Sequence, residues 1–192
     1  YQIFLIVNAD DFGLVPSVSE GILEAHERGI VSSTTALVTR PVAKGLIQKA
    51  KRYGDLGIGI HLNMTLGEPL SKSKRVASLL NGEGKLSKLT PVSLQKIKAS
   101  ELEEEWDLQI LRFKKLWGKY PTHLDSHHHI QIFPKIEKVF LTLAKKYKIS
   151  FRPPSPHFSR EIRMQFQKKG ILLPQTFYGN LDAKKHWTVQ SL

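Results

Sequence analysis

An apolar run that stops at two adjacent carboxylates constrains this chain more than any other feature. Ile3-Phe4-Leu5-Ile6-Val7 leads into Asn8-Ala9-Asp10-Asp11-Phe12-Gly13. The run is continuous and rich in β-branched residues, which predicts a strand buried on both faces of a parallel sheet. In parallel α/β architectures chemistry collects where such strands end and their loops begin. Two carboxylates side by side need a cation or a proton to offset their repulsion. The sequence offers partners at two further places: His61 after a second apolar run, and His127-His128-His129 after a third. A carboxylate with two imidazoles is ordinary divalent-metal chemistry, with positions left for water and substrate. An Asp-Asp pair alone reads equally well as a solvated turn or a helix cap. Three strand ends that each bring a ligand favour a hydrolytic metal site.

Composition narrows the field. The 192 residues suffice for one domain with a core that needs no staples. There is no cysteine, so disulfides, iron–sulfur clusters, thiolate zinc and cysteine nucleophiles are excluded. That absence suits a reducing cytosol, and a cytoplasmic protein is expected. No apolar run reaches transmembrane length and no signal peptide opens the sequence, so no membrane partner is expected. The first residue is Tyr1 rather than Met, from which we expect that some chain precedes it. A formal charge of +12 invites a nucleic-acid reading. The basic residues are spread along the chain, however, many of them on polar helix faces or in last turns that suit the helix dipole. No basic groove with interleaved aromatics is visible, and nucleic acid is not expected as a partner.

Along the chain, apolar runs alternate with helical stripes. Ser17 and Glu20 predict a capping box for a helix over Pro16 to Arg28, stopped by Gly29. A strand is expected over Val31 to Val38, a helix over Pro41 to Tyr53, and a third strand over Leu56 to Asn63 that carries His61. The glycines of that strand allow something to approach closely. Thr65 to Leu89 reads as a long surface loop. Thr90-Pro91 opens a helical region that strengthens at Glu101 to Trp117, where Leu102, Trp106, Ile110, Phe113 and Trp117 recur at helical spacing. The tryptophans suit a sugar platform, but such a stripe more often faces the core. Thr122 to His129 reads as a short strand running into a loop, with His123, Asp125 and His127 on one face if it stays extended. A helix from Pro134 to Tyr147, a strand near Ile149 to Arg152, a helix near Ser159 to Lys168 and an apolar run at Ile171 to Phe177 follow. This alternation means a parallel sheet or barrel with helices outside.

Three motifs carry a family resemblance: Asn8-Ala9-Asp10-Asp11-Phe12-Gly13, Gly59-Ile60-His61-Leu62-Asn63 and Thr122-His123-Leu124-Asp125-Ser126-His127-His128-His129. Together they resemble the YdjC-like carbohydrate deacetylases. Ser32-Ser33-Thr34-Thr35-Ala36-Leu37-Val38 and the linear spacing look closest to the chitooligosaccharide deacetylase branch. The likeness runs from residue 3 to about residue 180, with Phe177-Tyr178-Gly179 also family-like. It implies an α/β fold, a distorted and incomplete TIM-like (β/α) barrel, with one divalent ion, Mg2+ or Zn2+. It also implies hydrolysis of N-acetyl groups on amino sugars, as in chitin degradation. Carried over by residue, the metal ligands are Asp11, His61 and His127, and Asp10 is the general base. Asp125, His129 and Asn63 are assigned to orienting a ligand or touching substrate. The partner implied is an acetylated amino sugar or oligosaccharide, and a homodimer is possible.

The family's late His-Pro motif is not found, and His157 and His186 stand in different contexts that suit surface residues. We therefore expect residues 1–192 to be a single deacetylase-like barrel domain lacking its C-terminal portion. The wall between the last strand and the Ile3 strand is expected to be open or closed by further chain. No plain proton donor for the leaving amine is found, so this form is expected to deacetylate poorly even with metal bound; should it not, His129 becomes the first candidate. Competing readings are a metal-dependent esterase or phosphohydrolase, and a sugar-binding barrel without turnover.

Overall fold

The structure is a computed structural model that describes residues 4–154 and 158–177. Its centre is a sheet of parallel strands in sequence order: β1 (Asn8–Phe12), β2 (Ser33–Ala36), β3 (Gly57–Leu62), β4 (His123–Ser126) and β5 (Ser150–Phe151). Parallel neighbours need crossovers. Here these carry α1 (Pro16–Arg28), α2 (Lys44–Lys51), the pair α3 (Pro91–Lys96) and α4 (Ala99–Trp117), and α5 (Pro134–Tyr147). A last helix, α6 (Arg160–Gln167), follows β5.

The two faces of the sheet are chemically opposite. Phe12, Ala36, Ile58, Ile60, Leu62, Leu124 and Phe151 belong to the hydrophobic core under the helices. The other face carries Asn8, Ser33, Thr35, His61, His123 and Asp125, which bond to one another. The sheet is also strongly curled. Four strand spacings on a flat sheet would separate β1 from β5 by about 19 Å. Yet Arg152, one residue past β5, places Nη1 at 3.0 Å from Oδ2 of Asp10 in β1. The structure is thus an incomplete barrel with a polar interior, and β1 and β5 do not pair among the described residues.

The first strand departs from expectation. Strand pairing begins at Asn8, and Phe4, Leu5 and Ile6 before it are 81%, 70% and 64% exposed rather than buried on both faces. No described residue covers them, and the chain is tied to β2 only by Val7, whose carbonyl accepts from Ser32 N and Ser33 N. The apolar run Ile171 to Phe177 is likewise not a strand: Ile171 packs in the core and Leu172 is exposed. Ile3, His157, Tyr178, Gly179 and His186 lie outside the described residues.

Most helices start and stop for the reasons their sequences suggest. Thr90 and Ser93 cap α3 reciprocally, Gly118 ends α4 at φ 78°, and Ser159 caps α6. The expected Ser17–Glu20 box does not form: α1, like α2, α4 and α5, has no side-chain N-cap. Ser19 anchors that turn instead, accepting from Gly13 N at 2.8 Å. Trp106 and Trp117 are core residues, Trp106 edge-on to Phe140 and Trp117 stacked on Phe113.

The segment 65–89 is not a free loop, because α4 holds it with carboxylates. Fully buried Glu105 accepts from Leu70 N at 3.0 Å, Ser71 N at 2.8 Å and Gln109 Nε2 at 2.8 Å. Burial pushes the Glu105 carboxyl above its ordinary pKa, against those donors. Glu101 takes Ser78 N, and Gln109 holds both N–H and C=O of Asn63. Replacing Glu105 by Ala strands these donors in the interior. We expect Glu105→Ala to cost about 3 kcal/mol in urea unfolding, and Glu105→Gln clearly less.

Candidate metal centre

Adjacent residues of a regular strand point to opposite faces, yet Asp10 and Asp11 both meet partners inside the barrel. A bulge makes this possible. Ala9 pairs with Thr34 and Phe12 with Ala36, so β1 spends two residues, Asp10 and Asp11, where β2 has only Thr35. Asp11 takes the extra turn at φ 72°, a left-handed conformation costly for a residue with a Cβ. Gly13 follows at φ 93°, where an added Cβ would sit 2.6 Å from the Val42 side chain. Phe12 then returns to the core, edge-on to Trp117.

The histidine tautomers follow from the neighbouring carboxylate. Asp125 is fully buried, and its oxygen lies 2.6 Å from His61 Nδ1. Burial alone would raise the Asp125 pKa, but the charges of His61 and Arg152 hold it far below the ordinary carboxylate range. An ionised carboxylate only accepts, so His61 carries a hydrogen on Nδ1, and Nε2 is the ring nitrogen turned toward Asp11. The second Asp125 oxygen takes Thr35 Oγ1 at 3.1 Å and Arg152 Nη2 at 2.7 Å. Asp125 is thus placed to orient the His61 ring.

Asp11, His61 and His127 converge, with ligating atoms within 4.8 Å of one another. Asp11 Oδ1 lies 3.3 Å from His61 Nε2 and 3.0 Å from His127 Nδ1. That oxygen is buried and accepts no hydrogen bond of acceptable geometry. Two imidazole nitrogens facing one anionic oxygen need positive charge among them, which ring protons or a bound cation supply. The charge balance points the same way, since Asp10, Asp11 and Asp125 share this pocket with the Arg152 guanidinium. Burial opposes ionisation of Asp11, but His127 and His61 hold its pKa below the ordinary value. The donor set thus fits a divalent ion with positions left for water. A second group, Asp10, His61 and Asp125, is equally close, but its atoms are already paired: Asp125 with His61, and Asp10 with Arg152.

The triple histidine does not stay extended. The strand β4 ends at Ser126 and the chain tightens into a 3₁₀ turn over His127–Ile132, with His128 and His129 at φ 60° and 52°. The expected alternation therefore holds for His123 and Asp125, and the turn places His127. His128 is not turned away as alternation suggests. Its ring lies 4.0 Å from that of His127, and its Nδ1 is 2.9 Å from Thr65 Oγ1. His129 faces Pro154 O at 2.8 Å and Gln131 at 3.0 Å and stacks on Phe177, away from the ligand set. Asn63 is fully buried in the turn after β3, bonded to Thr39, Leu66 and Thr65, and does not reach the ligands.

Four interior residues went unassigned from sequence: Asn8, Thr35, His123 and Arg152. Arg152 carried the clearest signal, a cation at the carboxyl end of a strand. Ser33 and Thr35 carried a weaker one, as polar residues at alternate positions of β2.

Fold and site define an incomplete parallel barrel whose strand ends gather an Asp/His/His group suited to a metal. The chain matches the YdjC-like protein family over residues 4–192 and belongs to it. A carbohydrate deacetylase of Halalkalibacterium halodurans is 41% identical over 151 residues, 77% of this chain and 62% of that protein. A chitooligosaccharide deacetylase of Serratia marcescens is 35% identical over 183 residues, 94% of this chain and 71% of that protein. A crystal structure from Enterococcus faecalis V583, described as a "putative cellobiose-phosphate cleavage protein", superposes with a TM-score of 0.75 at 37% identity. That superposition covers 88% of this chain and 65% of the other. The chain thus spans about three fifths of several of its relatives.

Removing the Asp125 charge tests the centre. Asp125→Asn is expected to weaken Zn2+ binding by about 10–100-fold in calorimetry, because it releases the His61 ring. Thr35→Val is expected to weaken it less.

Proposed function

We propose that this chain belongs to a metal-dependent hydrolase that removes N-acetyl groups from amino sugars or chitooligosaccharides, using Mg2+ or Zn2+. The observation that carries the reading is a division of labour between adjacent carboxylates. Asp11 Oδ1 is left without a hydrogen bond between two imidazoles, whereas Asp10 is held apart by other partners. Relatives named as carbohydrate and chitooligosaccharide deacetylases support the reaction class.

Asp11, His61 and His127 would hold a divalent ion, which would supply an acidified water and polarise the acetyl carbonyl. The rest is done by the chain. Asp10 Oδ1 accepts from Asn8 Nδ2 at 2.7 Å and from Arg152 Nη2 at 2.5 Å. Its Oδ2 accepts from Arg152 Nη1 at 3.0 Å and keeps a lone pair. Oδ2 is the atom that takes the proton of the attacking water. Arg152 fixes the plane of that carboxylate with two parallel bonds. His129 donates from Nε2 to Pro154 O and accepts at Nδ1 from Gln131 Nε2, which makes it a poor proton donor to the leaving amine. We retain residues 1–192 as one barrel domain, and a cytoplasmic setting on the lack of cysteine. No described helix is long and apolar enough to cross a membrane.

The test is acetate release from N-acetylated chitobiose with Zn2+ or Mg2+ added, using a form of the protein that turns over. Asp10→Asn is expected to keep metal affinity and lose about 10²–10⁴-fold in kcat. His61→Ala and His127→Ala are expected to lose both. Equal loss of metal in Asp10→Asn would make that residue a ligand and refute the division of roles.

A further inference from the structure

We propose that His123 and Gly59 position the Asp10 carboxylate: His123 fixes the amide of Asn8, which holds Asp10, and Gly59 makes room for the His123 ring. The proposal rests on the reading of Asp10 as general base. It concerns residues below the metal centre that make no contact with the ligand set.

Hydrogen-bond polarity forces the arrangement. Asp10 accepts only, so the Asn8 amide must turn its NH2 toward it, at 2.7 Å. The Asn8 carbonyl oxygen then faces His123 Nε2 at 3.1 Å, and that nitrogen must donate. The other ring nitrogen, Nδ1, becomes the acceptor for Thr122 Oγ1 at 2.8 Å. Ser33 Oγ, 3.3 Å from Nε2, completes the cage. Burial, ahead of the nearby charges, pushes the His123 pKa below its ordinary value, which keeps the ring neutral with its hydrogen on Nε2. A rotated Asn8 amide would present its oxygen to Asp10 and drive the carboxylate away.

The ring lies directly over β3. A Cβ built on Gly59 would sit 2.5 Å from His123 Cε1 and 2.7 Å from both ring nitrogens. Those nitrogens are bonded on both sides, so the ring has no free direction in which to yield. Gly57, two residues earlier on the same strand, is different: its Cβ would meet Ser33 Oγ at 3.4 Å, an ordinary contact. The pair forms an internal comparison, because Gly→Ala changes strand propensity alike at both sites while only one displaces the imidazole.

The experiment combines NMR with kinetics on one set of variants. In the wild type, imidazole 15N shifts should show the Nε2–H tautomer for His123, and an Nδ1–H tautomer would overturn the proposal. Gly59→Ala and His123→Phe should shift the Asn8 side-chain amide signals and lower kcat for acetate release by about 10²-fold, with KM and metal affinity unchanged. His123→Gln, which keeps a donor near the Nε2 position, should recover much of the rate. Gly57→Ala should match the wild type in kcat and in the Asn8 amide signals. Should Gly59→Ala behave like Gly57→Ala while Asp10→Asn is inactive, positioning fails and the base assignment stands. Should the Asn8 amide shift with kcat unchanged and Asp10→Asn remain active, the base assignment itself is refuted. Metal affinity falling in step with kcat would assign the effect to the metal centre and overturn the proposal.

Discussion

Three carboxylates, Asp10, Asp11 and Asp125, crowd one end of this barrel, and their mutual repulsion governs what surrounds them. Each is offset differently. Arg152 bridges Asp10 and Asp125, His61 takes the remaining oxygen of Asp125, and Asp11 is left to two imidazole nitrogens. Breaking any of these pairs would leave a charge in the interior without compensation, which is far more costly than the pair is worth. The negative surplus raises the His61 pKa, with burial opposing and Asp125 the leading cause. A divalent ion at Asp11, His61 and His127 would offset that surplus.

Bringing those charges together requires two distortions of an otherwise regular sheet. The curl brings the edge strands β1 and β5 within reach of one ion pair, although neither hydrogen-bonds to the other. The bulge at Asp10–Asp11 turns two consecutive side chains to one face. Strain is stored at φ 72° on Asp11 and at the left-handed pair His128–His129, all at the strand ends that carry ligands. Outside the site the same chain follows local rules closely, as the caps of α3 and α4 and the buried stripe of α4 show. Departures from local preference concentrate where the chemistry is, as expected when function opposes regular structure.

That distribution explains what the sequence disclosed. Alternation of apolar runs and helical stripes sufficed for a parallel sheet wrapped by helices, and the stripe from Leu102 to Trp117 was legible as core. The motif resemblance named the ligand set, which the structure gathers in one place. Periodicity failed where the backbone ceases to be periodic. A strand reading carries no sign that Asp11 turns left-handed, or that the turn after Ser126, rather than alternation, delivers His127. It also misplaced the first strand: Phe4 to Ile6 has the composition of a buried strand, but burial depends on what lies alongside. Arg152 and His123 were hidden for a different reason. Their roles arise from contacts 142 and 115 residues away along the chain, which no local window reaches.

The interior hydrogen bonds have a direction that joins Asp10, the proposed base, and the candidate metal ligands into one system. On one branch, Thr122 donates to His123, His123 to Asn8 and Asn8 to Asp10. On the other, the second Asn8 amide hydrogen approaches Thr35 Oγ1 at 3.4 Å, and Thr35 donates onward to Asp125, which holds His61. Thr35 has one hydrogen to give and it goes to Asp125, so the same hydroxyl is an acceptor toward Asn8. Reversing the Asn8 amide would set its oxygen against Asp10 and remove the donor from Thr35 at once. One side-chain orientation is thus read by both carboxylates, Asp10 directly and Asp125 through a hydroxyl. Arg152 closes the loop by donating to both. A residue that fixes Asn8 therefore acts on base and metal ligands unequally: strongly on Asp10 through a charge-assisted bond of 2.7 Å, and weakly on Asp125 through a long contact of 3.4 Å. With Asp10 as the proposed base, that inequality would separate proton transfer from metal affinity even though the residues share one network.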